Sequence, residues 1–345
     1  MRRYEFVFNF LPFDAHLHLR RGLMLADVII QASCWAVVMG NTSPYPIVSS
    51  RDVRKYRREM KRHRPDFKPV ISVMLTKDMT VKKLRRAYKA GAQVLKMIPV
   101  GTSTGSSRGI ALIELPAYYP VLLEAKRLGM VFSGHWELDV DQFGKAIPKI
   151  EQEEGAIPIL AQLVADIPGL KVVVEHTSVR KMIEFVKGAP ANVVATLTLH
   201  HATVTYDQVF SNKGSVKAPN LYCKPCAKTR DDCRAVIEAM TSGNPKFFFG
   251  SDSAPWHRND KKLGSEKAGI FTPYKVYVPR LVELFEREKA LHKLEAFLCI
   301  YGPLFYGFQP FPAAVNLRRR PIRICKYYKN IPVFLGGELQ EWSIV

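Results

Sequence analysis

The sequence predicts an α/β protein, a (β/α)8 TIM barrel forming a single domain over 1–345, with a C-terminal extension packed on it. Three observations point there. Short β-branched or aromatic runs recur eight times along 345 residues; segments with helical spacing or loops separate them; and seven of the nine histidines fall at or just after the ends of those runs. Eight parallel strands joined by crossover helices close most simply into a barrel. A doubly wound open sheet is the alternative, but no Gly-rich nucleotide loop follows the first strand. Length alone would admit two domains, whereas barrels commonly run past about 250 residues as one unit. The barrel core is expected over about 5–300 and the C-terminal segment over 301–345.

The first strand is expected over 5–16. The opening MRRYEFVFNFLPF has the basic and apolar character of a signal peptide, but it lacks a small-residue cleavage site and runs into a histidine-rich motif, so secretion is not expected. The remaining strands are expected near 35–41, 68–75, 93–99, 129–135, 170–176, 192–200 and 246–252. Between them lie helices with recognisable ends, Thr80 to Gly91, Ser178 to Gly188 and Thr229 to Gly243, the last opening with Thr229 and Asp232 in capping-box spacing. Barrel chemistry sits at the C-terminal ends of strands. His16 and His18 close strand one, His135 strand five, His176 strand six, His200 and His201 strand seven, and His257 follows strand eight; His63 and His292 fall on outer helices.

Composition narrows the class. With 47% apolar residues, disordered, collagenous and fibrous readings are out. No membrane span is expected, because the most apolar stretch, Leu25 to Met39, is short and contains Asp27, Gln31 and Ser33. Six cysteines make no disulfide framework in a chain this long. Cys223 and Cys226 have Cys233 nearby but no evident fourth ligand for a structural zinc, so reduced thiols in a cytoplasmic protein are the expectation. The net charge of +20 is concentrated: residues 51–64 carry eight basic and two acidic side chains, 81–89 five basic and 317–329 six basic.

The motif Asp14-Ala15-His16-Leu17-His18 puts two imidazoles on one face of a strand, since side chains at i and i+2 point the same way. Such a pair is weak by itself, for a histidine at a strand end is more often simply hydrogen-bonded. His135 and His176 end separate strands, Asp252 ends FFFGSDSAP, and Lys96 lies inside the apolar strand QVLKMIP. A lysine in a buried strand is costly as a cation, so it snorkels, pairs with an acid or loses its charge chemically.

These residues, together with VVMGN (37–41), VLKMIP (94–99), the loop TSTGSSRGI (102–110), GMVFSGHWE (129–137), LKVVVEHTS (170–178), LYCKPCAK (221–228), GSDSAP (250–255) and YGPLFYGF (301–308), resemble the dihydroorotases of the amidohydrolase superfamily, in the shorter single-function form of bacteria and fungi. The matches run in order over nearly the whole chain. The resemblance implies two zinc ions: His16, His18 and Asp252 at the more buried one, His135 and His176 at the second, and carboxylated Lys96 bridging both. It implies reversible cyclisation of N-carbamoyl-L-aspartate to L-dihydroorotate in pyrimidine biosynthesis, with Asp252 passing a proton to the leaving nitrogen. It implies that Arg20 and Asn41 hold the substrate carboxylate, that Ser103 and Thr104 reach it from a mobile flap, and that Lys224, Trp256, His257 and Ala268 belong to the substrate shell. It also suggests a final packed strand at Val333 to Glu338, with the basic run before it as a surface connection.

The substrate shell departs from the family's pattern. Trp256 stands where a carboxylate-binding histidine is usual, and its indole offers one neutral N–H; His257 is next in line to replace it. Gly40 replaces a proline, Trp136 a glycine beside a metal ligand, Lys224 an apolar residue and Arg108 a histidine, whereas Ala268 agrees. Two classes of function follow: a dihydroorotase or related cyclic-amide hydrolase with an altered pocket, and a weakly catalytic or non-catalytic barrel whose basic face binds nucleic acid or an acidic surface. For the second, residues 51, 54, 55, 58, 61 and 62 form a stripe at helical spacing, with the helix at 80–90 beside it. A solvated helix face has the same pattern. The expected partner is a small-molecule substrate, with a homodimer allowed.

Overall fold

The structure, a computed structural model, describes residues 5–102, 106–141 and 143–345. Ser103 and Thr104 therefore lie outside the described residues. Eight parallel strands, β2 (Phe13–Leu17), β3 (Trp35–Val38), β4 (Lys68–Met74), β5 (Ala92–Met97), β6 (Val131–Gly134), β7 (Val172–Val174), β8 (Val193–Leu197) and β9 (Phe247–Phe249), pair in chain order. The ring closes just beyond the strands, where His18 N–H donates to Ser253 O at 3.0 Å and Asp252 N–H to His16 O at 2.8 Å. The fold is the (β/α)8 TIM barrel.

The seven expected strands after the first are present but end earlier than expected, where the chain leaves the ladder to carry side chains over the mouth. The expected first strand is two. β1 (Glu5–Phe10) stops before Pro12, which has no N–H for a ladder, and pairs antiparallel with β10 (Pro312–Arg323), outside the barrel. β10 in turn pairs with the final strand (Leu339–Ile344). The basic run at 317–329 is thus largely a central strand rather than a surface connection, and the last strand begins after 338. Val333 to Glu338 instead form a turn, in which Leu335 has φ 58°.

The interior of the barrel is filled from alternate strand positions: Ala15, Val37, Val94, Val131, Val173, Val194 and Phe248 cluster together. Tyr306, from the helix Tyr301–Tyr306, packs its ring on Phe13 at 5.7 Å and Phe248 at 6.3 Å and seals the N-terminal end. One end being plugged, the cavity opens at the other. Outside lie α1 (Leu23–Ile29), α2 (Ser50–His63) and α3 (Val81–Lys89), followed by the later crossover helices. Ser49 and Thr80 cap α2 and α3, each accepting from a backbone N–H in the first turn. Arg57 Nη2 donates to Gly91 O at 3.0 Å and ties α2 to the end of α3. The helix Arg230–Thr241 opens with the expected capping box of Thr229 and Asp232.

Candidate active site

Strand ends deliver one polar cluster to the mouth. His16 Nε2 and His18 Nε2 stand 3.2 Å apart, with Asp252 Oδ1 at 3.4 and 3.3 Å from them. Those separations match the edge of a tetrahedron of donors about 2.0–2.1 Å from a shared zinc, roughly 3.3 Å. His135 Nδ1 and His176 Nε2 form a second pair at 3.1 Å. Lys96 reaches the same cavity from β5, fully buried, and its Nζ has no hydrogen-bond partner among the described residues. An orphaned buried ammonium is costly, and burial lowers Lys96 to about 8, against nearby Glu175 and Asp252.

The backbone is bent to make this arrangement. Arg20, His176 and Asp252 are three of the six described non-glycine residues with positive φ, at 59°, 43° and 44°. Such a conformation costs on the order of 1–3 kcal/mol and persists where the surroundings fix it. Here they do: His176 N–H donates to Thr196 Oγ1 at 2.7 Å, and Asp252 N–H to His16 O.

Two buried carboxylates that sequence reasoning did not single out orient the imidazoles. Glu175 meets His16 Nδ1 at 2.7 Å and accepts from Ser133 Oγ and Thr196 Oγ1. Glu137 meets His135 Nε2 at 2.7 Å. Each partner occupies one ring nitrogen and leaves the other facing the cluster, the usual way a protein fixes a ligand tautomer. Burial would raise both carboxyls, but His16 and Lys96 overcome it at Glu175, and His135 and Lys224 at Glu137, which is held down to about 2. Burial lowers His18 to about 4 and also lowers His135 and His176, which favours in these three the neutral form that a ligand requires. Asp252 is held well below the usual carboxylate range; burial opposes this, and its hydrogen bond with His18 and the neighbouring His16 and His18 rings prevail. The available signal was local: Glu137 lies two residues from His135, on the same side of an extended chain, and Glu175 directly follows a run of three valines and precedes His176.

The rest of the cavity wall comes from other strand ends and loops. Arg20, Asn41, Lys224, Ala268, Ile98, Ala254 and Gly269 line the cavity with the histidine cluster, Lys96 and Asp252. Arg20 is buried and lowered to about 10 by that burial, so it remains a cation. Lys224 Nζ donates to Gln152 Oε1 at 3.2 Å. Trp256 is half-buried and His257 exposed, and neither lines the cavity. Trp136 turns away from the mouth into the outer core, its ring against Phe132 and over Gly134, where a Cβ would lie 2.4 Å from the indole nitrogen. The pocket is not narrowed by it. Arg108 is exposed and faces Asp78.

His200 and His201 fall not on a strand but on the short helix Leu199–Thr203. With Cys223 they form a second buried group of ligand type. His201 is occupied by Thr198 Oγ1 at 2.9 Å and Pro225 O at 3.0 Å, and the Cys223 thiol donates to Pro225 O at 3.2 Å, so these two have protein partners, whereas neither ring nitrogen of His200 has a hydrogen-bond partner among the described residues.

The chain is 36% identical over 349 residues to a dihydroorotase of Aromatoleum aromaticum, covering 97% of this chain and 98% of that protein. It is 37% identical over 347 residues to one of Vibrio vulnificus, covering 96% and 97%. The chain belongs to the dihydroorotase family. No family model matches it. Among solved structures, a Saccharomyces cerevisiae dihydroorotase in complex with 5-fluoroorotic acid superimposes with a TM-score of 0.91 at 28% identity, covering 99% of this chain and 98% of that one. A Campylobacter jejuni dihydroorotase gives 0.87 at 27%, covering 99% and 97%. A D-hydantoinase from a Thermus species shares the fold, at 0.73 and 14%, covering 99% of this chain and 82% of that one. Family membership makes the chain an enzyme of the cyclic-amide hydrolase kind, on an amidohydrolase barrel. No helix among the described residues is long and apolar enough to cross a membrane.

Proposed function

We propose that the enzyme interconverts L-dihydroorotate and N-carbamoyl-L-aspartate in pyrimidine biosynthesis, with two zinc ions held by His16, His18, Asp252, His135 and His176 and bridged by carboxylated Lys96. The observation that carries this reading is the unpartnered Lys96 Nζ in one cavity with both sets of donors. Addition of carbon dioxide converts that amine into an anionic oxygen ligand, which removes the cost of burying it alone. Bound zinc would supply Lewis acidity toward the ring amide and lower the pKa of water.

The chain's own residues do the rest. Arg20 and Asn41 hold the carboxylate of the substrate, so the scissile amide is turned toward the histidines. Asp252 accepts a proton from the attacking water and returns it to the ring nitrogen as the carbon–nitrogen bond breaks. Its Oδ2 faces His200 Nε2 at 4.0 Å, on the side away from His16 and His18. Ile98 and Ala254 supply an apolar wall, and Ser103 and Thr104 are assigned to substrate contact by the family resemblance alone. A cytoplasmic setting suits the chain, whose six cysteines are all free.

The test is hydrolysis of L-dihydroorotate by zinc-loaded protein with the metal content measured beside it, and calorimetric binding of 5-fluoroorotate as a probe of the carboxylate site. Turnover with about two zinc ions per chain supports the reading. A fully loaded protein that neither turns over the substrate nor binds the probe overturns it.

A further inference from the structure

Trp256 touches the site without entering it. Its indole N–H donates to Ala268 O at 2.8 Å, so the one polar group it could offer a carboxylate is already spent. The ring lies against the backbone of Gly269, where a Cβ would come within 3.2 Å of Trp256 Cδ1, so the indole is wedged in a fixed place. The Arg20 guanidinium carbon sits 4.6 Å from the ring centroid. A second cation, the exposed Lys267, stands 4.7 Å from the same ring but is engaged by Asp260 at 2.6 Å. Arg20 is otherwise held through Nε, which donates to Pro255 O at 2.9 Å, and its buried Nη2 has no partner among the described residues. The guanidinium is thus gripped on one edge and across one face, with a donor left over in the wall of the cavity.

We propose that Trp256 is a positioning residue for substrate binding: its ring fixes the Arg20 guanidinium so that Nη2 meets the substrate carboxylate, replacing by support the direct contact that a polar side chain at this position would make. The proposal rests on the reading of Arg20 as the carboxylate-binding residue. A cation over an indole face is attracted by the ring quadrupole, more strongly where water is excluded, and a planar guanidinium stacks where an ammonium does not. An arginine fixed before substrate arrives loses less side-chain freedom on binding, so affinity is gained with no additional contact. The effect belongs to binding in ground and transition states alike, so it is read in KM rather than in kcat.

The experiment compares the zinc-loaded unmodified enzyme with Trp256→Leu, which removes the aromatic face, and Trp256→Phe, which keeps a face but loses the N–H. Trp256→Leu should raise KM for L-dihydroorotate and Kd for 5-fluoroorotate about tenfold, with kcat within about twofold. Trp256→Phe should recover most of that loss. In an Arg20→Lys background the Trp256→Leu change should cost less than about threefold, because the group it supports is gone. Zinc content, read separately, should be the same throughout. An unchanged KM in Trp256→Leu, a Trp256→Phe enzyme as weak as Trp256→Leu, or a full tenfold loss persisting in Arg20→Lys would each overturn the proposal. If the unmodified, zinc-loaded protein itself neither binds nor hydrolyses, the reading of the whole site fails, an outcome distinct from these.

Discussion

The barrel mouth and the outer face of α2 are both crowded with charge, yet they are built on opposite rules. At the mouth, Lys96, Glu137, Glu175, Asp252 and Arg20 are buried, mixed in sign and set against named partners or one another. On α2, Arg51, Arg54, Lys55, Arg58, Lys61 and Arg62 are exposed, alike in sign and without an ion pair among the described residues. Two unit charges about 4 Å apart interact by about 1 kcal/mol in water and several times more where water is excluded. A single substitution should therefore be decisive at the mouth and nearly silent on the helix, although the helix carries more of the net charge.

The comparison is broken most directly at Lys96. Lys96→Ala removes the proposed bridging ligand, and hydrolysis should fall by more than about a hundredfold, beyond what loss of an outer partner costs. Zinc measured on the same sample should drop by most of one or both ions. Unchanged zinc content would contradict the carboxylated bridge.

Next in size are the carboxylates behind the ligands. Glu175→Gln leaves the volume unchanged but weakens the hold on His16 Nδ1, and Glu137→Gln does the same at His135 Nε2. Each should weaken metal binding about ten- to a hundredfold, measurable by competition with a chelator. Equal affinity in both variants would mean that the imidazoles are oriented by packing alone.

These carboxylates also mark where the sequence stops being legible. The barrel and its mouth were readable because strand periodicity fixes which side chains share a face, and His16, His18, His135, His176 and Asp252 all sit on or just past a strand. Glu175 and Glu137 occupy equally regular positions, but a buried carboxylate reads from sequence only as an isolated acid. Loops gave less. Trp256 and His257 are adjacent in sequence, yet the irregular segment that follows Pro255 lays one against Arg20 and sends the other to solvent. At the N-terminus, a single alternating run over 5–16 hid a change of partner at Pro12, because the same period serves a barrel strand and an antiparallel outer strand.

A buried acid away from the metal ligands gives a smaller effect with a defined pH sign. Glu153 accepts from Ser178 N–H at 2.9 Å and from Ser178 Oγ, and burial lifts it from 4.5 to about 7, with Lys228 and Ser178 opposing. Below pH 4.5 it is protonated folded and unfolded, and its contribution is intact. As pH rises toward 7 the unfolded chain releases the proton and the folded one keeps it, so stability is lost, by up to about 3 kcal/mol. Glu153→Gln cannot titrate. At pH 8 it should be more stable than the unmodified protein in denaturant unfolding, by a few kcal/mol at most, and the advantage should vanish by about pH 4. An advantage independent of pH would assign the effect to packing.

The smallest change is expected where the charge is greatest. On α2, the pairs 51 and 55, 54 and 58, and 58 and 62 place like charges one turn apart, each unfavourable by about 0.2–0.5 kcal/mol. Replacing Arg54, Lys55, Arg58 and Arg62 together with Gln, which has a similar helix propensity, should relieve that repulsion and stabilise the protein by about 1 kcal/mol or less. The gain should shrink in about 1 M salt, where the screening length is about 3 Å. Hydrolysis and zinc content should not move, since the helix faces away from the mouth. Weaker hydrolysis by this variant would mean that the outer field draws the anionic substrate in, and a salt-dependent affinity of the unmodified protein for a DNA or RNA duplex, flattened by the four substitutions, would turn this face from a solvated surface into a binding one.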